Sequence, residues 1–261
     1  MPTPLEKYFA LRTKNLFNHL HDFEANGDEG SMHDLRVEIK KMRAIIKFLR
    51  TIYLKQQLKK PSHLLRYIFQ TGGAIRELEL LQAWLRKYQF EVILFNYYSQ
   101  EKLSFLTDQF RTNALQYKED FKEIINSCEE YIQTTNEILA EQYFVDMNAQ
   151  VEKQCRKNLP VTEWHDLRKL IKQRLYAYNW VQHPEENDDP NFPYYHKLQE
   201  AIGLWHDLEI IKESFSQKQI WLSQDIEVQK EFTPAWEKLT LSIKTREKNV
   251  EELLAKQLIT D

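Results

Sequence analysis

The sequence predicts an all-α protein, and three observations support that fold class. Only 5 of the 261 residues are glycine and 8 are proline, so the residue types that interrupt helices are scarce. Apolar residues recur at steps of three and four along the chain, which is the helical period. A helix-forming pattern also occurs twice, which indicates an internal repeat.

Caps and prolines place the helices along the chain. Ser31, followed by Asp34, is typical of an N-cap and predicts that the second helix starts at Met32. That helix should stop before Pro61, because proline disfavours helical geometry in the preceding residue, and Ser62 should cap the third. The expected helical stretches are 5–24, 32–60, 62–88, 91–126, 129–157, 162–182, 194–217 and 224–258, with a charged loop over 183–193 and a break or new start at Pro234.

Four helical stretches fall in each half of the chain, dividing near Cys128. The simplest architecture is then two pseudo-symmetric four-helix bundles with a basic groove or pore between them. We expect a single domain over residues 1–261, made of repeat half 1 (1–128) and repeat half 2 (129–261).

The second helix carries cations and apolar residues on neighbouring faces. Its cations recur at steps of three and four, so they lie along one line of the helix, which we call the cationic row. The cationic row consists of His33, Arg36, Lys40, Arg43 and Lys47. Beside it runs an apolar seam, Leu35, Ile39, Met42, Ile46 and Leu49. The two faces diverge by roughly 120° at 3.6 residues per turn, which predicts that the row lies at the edge of the core.

The start of this pattern returns in the second half of the chain. At an offset of 132, the segment from His165 to Lys172 repeats His33, Asp34, Leu35, Arg36, Ile39 and Lys40. A second pattern, GAIRELELL from Gly73, matches GLWHDLEII from Gly203 at an offset of 130. The offset is nearly constant over a whole helix and loop, which indicates two structurally equivalent halves.

Residues around the second pattern extend the candidate site. Arg66 lies two helical turns before Gly73 and on the same face, and Arg76 follows that glycine by three residues. His196 has the same position before Gly203. Glycine here would let a ligand or another helix approach closely, and tight helix packing explains the glycines equally well.

Charge and cysteine content exclude several classes of protein. The formal net charge is −3, which argues against a globally basic nucleic-acid-binding surface. From residue 32 to 60, however, nine Lys or Arg accompany two acids, a net charge of +7, so an anion site must be local. Cys128 and Cys155 are the only cysteines and form no CxxC motif, which predicts buried free thiols. The N-terminus lacks a signal-peptide core and no run is long enough to span a membrane, so a cytoplasmic location is expected.

Three alternative functions fit parts of the pattern. The pairs His33-Asp34 and His165-Asp166 suggest an HD-type metal-dependent phosphohydrolase. Adjacent helical residues diverge by about 100°, however, so each Asp points away from the basic face and serves better as a helix-start acid. His33 and His165 together could bind a metal ion, although the surrounding Arg and Lys would repel it. Nucleic acid could contact the cationic row through its phosphates, but the acidic total charge disfavours it.

The two repeated motifs together resemble a known family. HDLRVEIKKMR and HDLRKLIKQRLY are each followed some forty residues later by G-x-x-[RH]-[DE]-L. In this order and spacing they resemble the two halves of a CHAD domain, the conserved histidine α-helical domain, over nearly the whole chain. The resemblance implies two four-helix bundles around a basic groove or pore that binds inorganic polyphosphate. It implies a stand-alone binding module, without enzymatic activity or a cofactor, in the cytoplasm and associated with polyphosphate granules.

The resemblance also implies which residues contact polyphosphate. They are His33, Arg36, Lys40 and Arg43 in the first half and His165, Arg168 and Lys172 in the second. The row adds Lys47, and Tyr176 falls where the family's second half usually has a tyrosine. Further candidates are Arg66, Arg76, Arg174 and His196.

The second half departs from the family's basic spacing. At the repeat position equivalent to Arg43 the second half has Leu175, and its nearest cation, Arg174, is one residue earlier. At the position equivalent to Lys47 it has Asn179. We therefore expect the first half to carry most of the binding. The sequence predicts neither the cellular role of binding, nor a chain-length preference, an oligomeric state or a protein partner.

Overall fold

The structure is a computed structural model that describes residues 1–54, 56–90, 93–157, 159–181, 189, 191–222 and 226–257. Over these ranges the chain forms α-helices and two short 3₁₀ turns, without a β-strand, which confirms the all-α prediction. None of the helices in the described ranges combines the length and apolar character needed to cross a membrane.

The described part of the chain contains nine α-helices. They are α1 (Pro4–Asn26), α2 (Glu29–Tyr53), α3 (Lys59–Lys87), α4 (Ile93–Thr112), α5 (Ala114–Thr134), α6 (Glu137–Cys155), α7 (Trp164–Val181), α8 (Phe192–Leu222) and α9 (Ile226–Gln257). The 3₁₀ turns span Gln56–Leu58 and Val161–Glu163.

The predicted start and end of the second helix are wrong. Helix α2 begins at Glu29 because Asp28 is the N-cap: its Oδ1 accepts from the backbone N–H of Ser31 at 2.9 Å. Ser31 is therefore already helical, and its hydroxyl donates to the other carboxylate oxygen of Asp28 at 2.8 Å. The helix ends at Tyr53, since Leu54 adopts a left-handed conformation with φ of 50°, well before Pro61.

Other boundaries also differ from the prediction. Helix α3 begins at Lys59 and includes Pro61; a proline is tolerated there because the N–H groups of the first turn have no partner within the helix. The predicted stretch 91–126 is interrupted at Asn113, and α5 then continues through Cys128 to Thr134. Residues 91 and 92 of that stretch lie outside the described residues.

Proline does not break the last helix. Pro234 lies inside α9, which continues through it. The residue is exposed, so water can hydrogen-bond the carbonyl group that a proline leaves without its helical donor. Most of the predicted loop over 183–193 lies outside the described residues, and α8 begins at Phe192, inside that range.

The chain divides into two compact units. Unit 1 consists of Met1–Arg76, Phe105–Asn148 and Gln173–Asp188, and unit 2 of Glu77–Ser104, Ala149–Lys172 and Asp189–Asp261. The division into repeat halves 1–128 and 129–261 stays a prediction.

The core of unit 1 forms around α2. The apolar seam is buried along its whole length: Leu35, Ile39, Met42, Ile46 and Leu49 are each at most 1% exposed, which confirms it as the packing face. Helices α1 and α5 pack against α2 and against each other. The rings of Phe48, Tyr143 and Trp180 pack together, with centroids 4.9 to 6.1 Å apart.

The core of unit 2 is rich in aromatic residues. Trp164, the first residue of α7, packs edge-on against Trp205 of α8 at 5.2 Å between ring centroids. Phe215 lies between Trp84 and Phe232, at 6.0 and 5.1 Å, and α8 packs along α9. These contacts fix α7 and α8 side by side, which positions the basic residues of this unit.

Both cysteines are free and buried, as predicted. Cys128 lies in unit 1 and Cys155 in unit 2. Burial raises the pKa of each thiol to about 12, so neither is a reactive thiolate at neutral pH.

Candidate anion-binding residues

The cationic row lies at the surface of unit 1. His33 and Lys47 are exposed, and Arg36, Lys40 and Arg43 are half-buried, while the neighbouring seam is in the core. One helix therefore holds five basic side chains at the edge of the core, because the same three-and-four spacing governs both faces.

An aromatic ring from α3 supports three members of the row. The guanidinium carbon of Arg36 lies 4.0 Å from the centroid of the Phe69 ring, and that of Arg43 lies 5.2 Å away. The Nζ of Lys40 lies 5.5 Å from the same centroid. Cation–π attraction of this kind is worth about 0.5–2 kcal/mol each, and here it holds three like charges around one ring.

Arg36 is also bonded to the backbone of α3. Its Nη1 donates to the carbonyl oxygen of Phe69 at 2.5 Å. The guanidinium lies directly over Gly73, where an added Cβ would be 3.0 Å from Nη1. The glycine thus makes room for an arginine of α2, whereas its neighbour Gly72 makes room for the Met32 side chain.

Three cations at this surface have no acidic partner in the described part of the chain. Among the residues that the structure describes, Arg43, Lys47 and Arg66 have no carboxylate within salt-bridge distance. Burial, and then the nearby charge of Arg66, lowers the pKa of Arg43. Partial burial of its ammonium group lowers the pKa of Lys47, although the residue as a whole is exposed. A nearby anion would raise the pKa of either group, so the lowered pKa values of Arg43 and Lys47 indicate that no anion offsets the cost of burying their charges.

Several other cations of unit 1 are paired with carboxylates. The pairs are Lys41 with Glu38, Lys60 with Glu123, Lys118 with Glu24 and Lys122 with Glu119. Arg76, one of the predicted site residues, donates to Glu29 at 2.8 Å. Glu38, an acid of α2 itself, is buried and turned to Arg12, with Nη1 and Oε1 3.1 Å apart. Two acids of α2, Glu29 and Glu38, are thus paired with cations other than Arg43 and Lys47.

Unit 2 repeats the contact between arginine and glycine. The Nε of Arg168 on α7 donates to the carbonyl oxygen of Gln199 on α8 at 3.1 Å. The guanidinium lies over Gly203, where an added Cβ would be 2.8 Å from Nη2. Gln199 precedes its glycine by four residues, as Phe69 precedes Gly73. The acceptor and the glycine therefore have the same register in both units.

A pair of histidines lies next to Arg168. The rings of His165 and His206 are 4.1 Å apart between centroids, and Nδ1 of His165 is buried without a hydrogen-bond partner in the described structure. Burial, His206 and the cations Lys169 and Arg168 lower the pKa of His165 to about 4. His165 is therefore neutral at pH 7, and a nearby anion would raise its pKa.

The remaining predicted residues vary in exposure. Lys172 and Tyr176 are half-buried. His196 is exposed, with its ring stacked against Phe192 at 6.4 Å between centroids. Lys172 and His196 lie in unit 2, and Tyr176 lies in unit 1.

Arg174 is a core residue. It is 1% exposed, its Nε donates to Oδ1 of Asn148 at 3.1 Å, and its guanidinium carbon lies 5.0 Å from the Phe144 ring centroid. This burial favours a structural role over contact with an anion. Asn179, at the position opposite Lys47 in the repeat, hydrogen-bonds the carbonyl of Leu175 within its own helix at 2.8 Å.

The residues needed for a metal site are not assembled in the described ranges, where no group of three or more His, Cys, Asp or Glu side chains is arranged to hold an ion. His33 and His165, the pair considered for chelation, lie in different units.

The sequence did not predict the roles of Phe69, Gln199 and His206. The signal for the first two is their spacing, since each lies one helical turn before a glycine that an arginine covers. A carbonyl at that position becomes accessible when the residue one turn later lacks a side chain. For His206 the signal is its position three residues after Gly203, one turn along the face that Arg168 covers.

Comparison with known proteins identifies the family and supports the fold. The family model of the CHAD domain matches residues 7–215. Among solved structures, the crystal structure of the CHAD domain from the plant Ricinus communis is similar with a TM-score of 0.78. The two share 16% sequence identity, over 99% of this chain and 93% of that chain, so this likeness shows the fold alone. A search of curated proteins found no match. Because the family model covers well over half of its length, the chain belongs to the CHAD domain family.

Proposed function

We propose that this CHAD domain binds inorganic polyphosphate and that the cationic row of α2, with Arg66, is its main contact. The observation that carries the proposal is the group formed by Arg43, Lys47 and Arg66, which have no carboxylate partner among the described residues. Several other cations of unit 1 are paired with carboxylates, as Lys118 is with Glu24. An external anion would supply the missing compensation.

The length of the row favours a polymer over a compact anion. From His33 to Lys47 the row covers roughly 21 Å at 1.5 Å per residue. A single phosphate would reach one or two of these side chains, whereas an extended chain of phosphates would reach all five. Arg offers a planar fork of donors to phosphate oxygens, and Lys offers a mobile point charge.

Binding would proceed by charge neutralisation. Each phosphate that pairs with a cation releases condensed counterions, so the affinity falls as the salt concentration rises. In unit 2, Arg168 would act in the same way, and an anion beside His165 would draw a proton onto that ring. The proposal is for binding without chemistry: polyphosphate incubated with the protein and Mg²⁺ or Mn²⁺ should keep its chain length, and phosphate release would favour the phosphohydrolase alternative. It includes a cytoplasmic location at polyphosphate granules, which imaging of a tagged protein would test.

The test compares two double variants that lose the same charge. Arg43→Gln with Lys47→Gln removes two unpaired cations of α2, and Lys118→Gln with Lys122→Gln removes two paired cations of α5. A lost phosphate contact is worth about 1 kcal/mol, or about fivefold in affinity. We therefore expect the α2 variant to bind long-chain polyphosphate about 30-fold more weakly and the α5 variant to bind nearly as well as the unmodified protein.

Nucleic acid is the competing partner, and the same titration distinguishes it. RNA of matched total charge should bind the unmodified protein more weakly than polyphosphate does. Equal affinity for the two polymers, or equal losses of polyphosphate affinity in the two double variants, would show that binding depends only on total charge. Either result would contradict the proposal.

A further inference from the structure

We propose that Gly73 and Gly203 are positioning residues for the anion site, because their missing side chains allow Arg36 and Arg168 to bond a helix carbonyl and so fix their guanidinium groups. This inference rests on the proposed function and extends it to residues that touch no anion themselves. Two separate sites carry it, one in each unit.

The first step is geometric. In an α-helix the carbonyl oxygen of a residue accepts the N–H of the residue four places later, and the side chain at that later position shields the oxygen's outer side. At residues 73 and 203 there is no side chain. Arg36 therefore reaches the carbonyl of Phe69, and Arg168 reaches that of Gln199.

The second step concerns the space available. An added Cβ at Gly73 would lie 3.0 Å from Nη1 of Arg36. At Gly203 it would lie 2.8 Å from Nη2, 3.0 Å from Nε and 3.2 Å from Cζ of Arg168. These distances are below normal contact, so even the smallest side chain would force the guanidinium to shift from the position in which it bonds its carbonyl. The conflict is greater at Gly203, where three atoms are involved.

The third step concerns energetics. Glycine inside a helix is less favourable than alanine by about 0.5–1 kcal/mol, and both glycines lie within long helices, α3 and α8. Packing on apolar neighbours can require a glycine, and Gly72 has that role beside Met32. Gly73 and Gly203 instead face a cationic group, so the space they leave serves an arginine.

The fourth step links positioning to binding. A free arginine side chain loses rotamer entropy when it binds a phosphate, up to about 2 kcal/mol. A guanidinium already held on a carbonyl has lost that freedom before the anion arrives. In unit 1 the same group also lies on the Phe69 ring at 4.0 Å. The pre-organised arginine can therefore present its fork to an anion at lower entropic cost.

The experiment uses Gly73→Ala and Gly203→Ala in the full chain, with Gly72→Ala as the matched control. The control also adds a methyl group to α3, but against the Sδ of Met32 instead of an arginine. We expect polyphosphate affinity to fall about fivefold for Gly73→Ala and about tenfold for Gly203→Ala, and to stay within about twofold for Gly72→Ala.

A double-mutant cycle separates positioning from a general structural effect. In an Arg36→Ala background, Gly73→Ala should cause no further loss of affinity, since there is no guanidinium left to displace. An undiminished further loss there, or unchanged affinity in both glycine variants, would overturn the inference. If the unmodified protein does not bind polyphosphate at all, the proposed function itself has failed.

Positioning can also be read without polyphosphate. In the unmodified protein the Nε–H of Arg168 donates to the Gln199 carbonyl, so its NMR signal should exchange slowly with water. In Gly203→Ala that signal should exchange as fast as those of exposed arginines. Fast exchange already present in the unmodified protein would contradict the geometry on which the inference rests.

Discussion

His165 offers a sharp test of the site in unit 2. Its ring lies 4.1 Å from that of His206, with Arg168 and Lys169 nearby and Asp166 as the opposing charge. Burial and these cations lower its pKa from the ordinary 6.5 to about 4. The perturbations are His165→Gln, which removes the titrating group, and His206→Gln, which removes the stacked neighbour.

The magnitude follows from the size of the shift. Each pKa unit corresponds to about 1.4 kcal/mol. The shift of His165 from 6.5 to about 4 can therefore change the free energy of unfolding with pH by at most about 3.4 kcal/mol. His165 is only half-buried, and solvent screening reduces this to about 1–2 kcal/mol. Below pH 6.5, His165 binds a proton in the unfolded chain but stays neutral in the folded protein until the pH approaches 4. The contribution to stability is therefore full above that pH and is lost as the pH falls toward 4.

The assay is an NMR titration of the histidine ring protons, combined with urea unfolding at about pH 7.5 and pH 5. We expect the pKa of His165 to lie well below its ordinary value of 6.5 and to rise in His206→Gln, which removes one of the groups that lower it. Between the two pH values, the unmodified protein should lose about 1–2 kcal/mol more stability than His165→Gln. A His165 that titrates near its ordinary pKa, or parallel losses of stability in the two proteins, would refute the reasoning.

Two further predictions concern charge. If four cations each release about 0.7 counterions, the value for single-stranded nucleic acid, polyphosphate affinity should fall about 50-fold between roughly 50 and 200 mM salt; a titration at four salt concentrations that gives no slope would contradict charge neutralisation. Arg66→Glu should act with opposite signs on fold and function. The substitution replaces a repulsion of Arg43 by an attraction, so the free energy of unfolding in urea should rise by up to about 1 kcal/mol. Polyphosphate affinity should fall more than tenfold in a binding titration. A loss of both stability and affinity would indicate that Arg66 supports the fold instead.

The packing of α2 could be predicted because helical periodicity is a property of the sequence alone. Leu35, Ile46 and the rest of the seam are buried as their spacing requires. The family motif is equally local, since His33 and Arg36 stand one turn apart on the same helix. These features depend on the 3.6-residue repeat and on no distant contact.

The helix ends could not be predicted as well, because several residues compete for the same role. Asp28 and Ser31 are both good N-caps, and the structure uses the first, which then also accepts from the hydroxyl of the second. Pro61 and Pro234 are compatible with the helices that contain them because one lies in a first turn and the other faces solvent. Whether water reaches a given carbonyl depends on tertiary structure.

The partners of the cations were the least predictable part of the site. Nothing in the spacing of α2 shows that Phe69 supports three of its cations. Arg174 has the charge expected of a site residue, but its neighbours Asn148 and Phe144 hold it in the core. Which element packs against a helix face is decided by contacts between residues far apart in the chain.

The unpaired cations of unit 1 are hard to explain by folding alone. Glu38, the carboxylate of α2 nearest in sequence to Arg43, is buried against Arg12 and does not compensate it. Among the described residues, no carboxylate compensates the repulsion between Arg43 and Arg66, which works against the fold. Selection for stability would place a carboxylate beside them, as it has beside Lys118. A carboxylate beside Arg43 and Arg66 would also occupy their N–H donors and repel any phosphate. A site for a polyanion therefore requires that these two arginines have no carboxylate beside them.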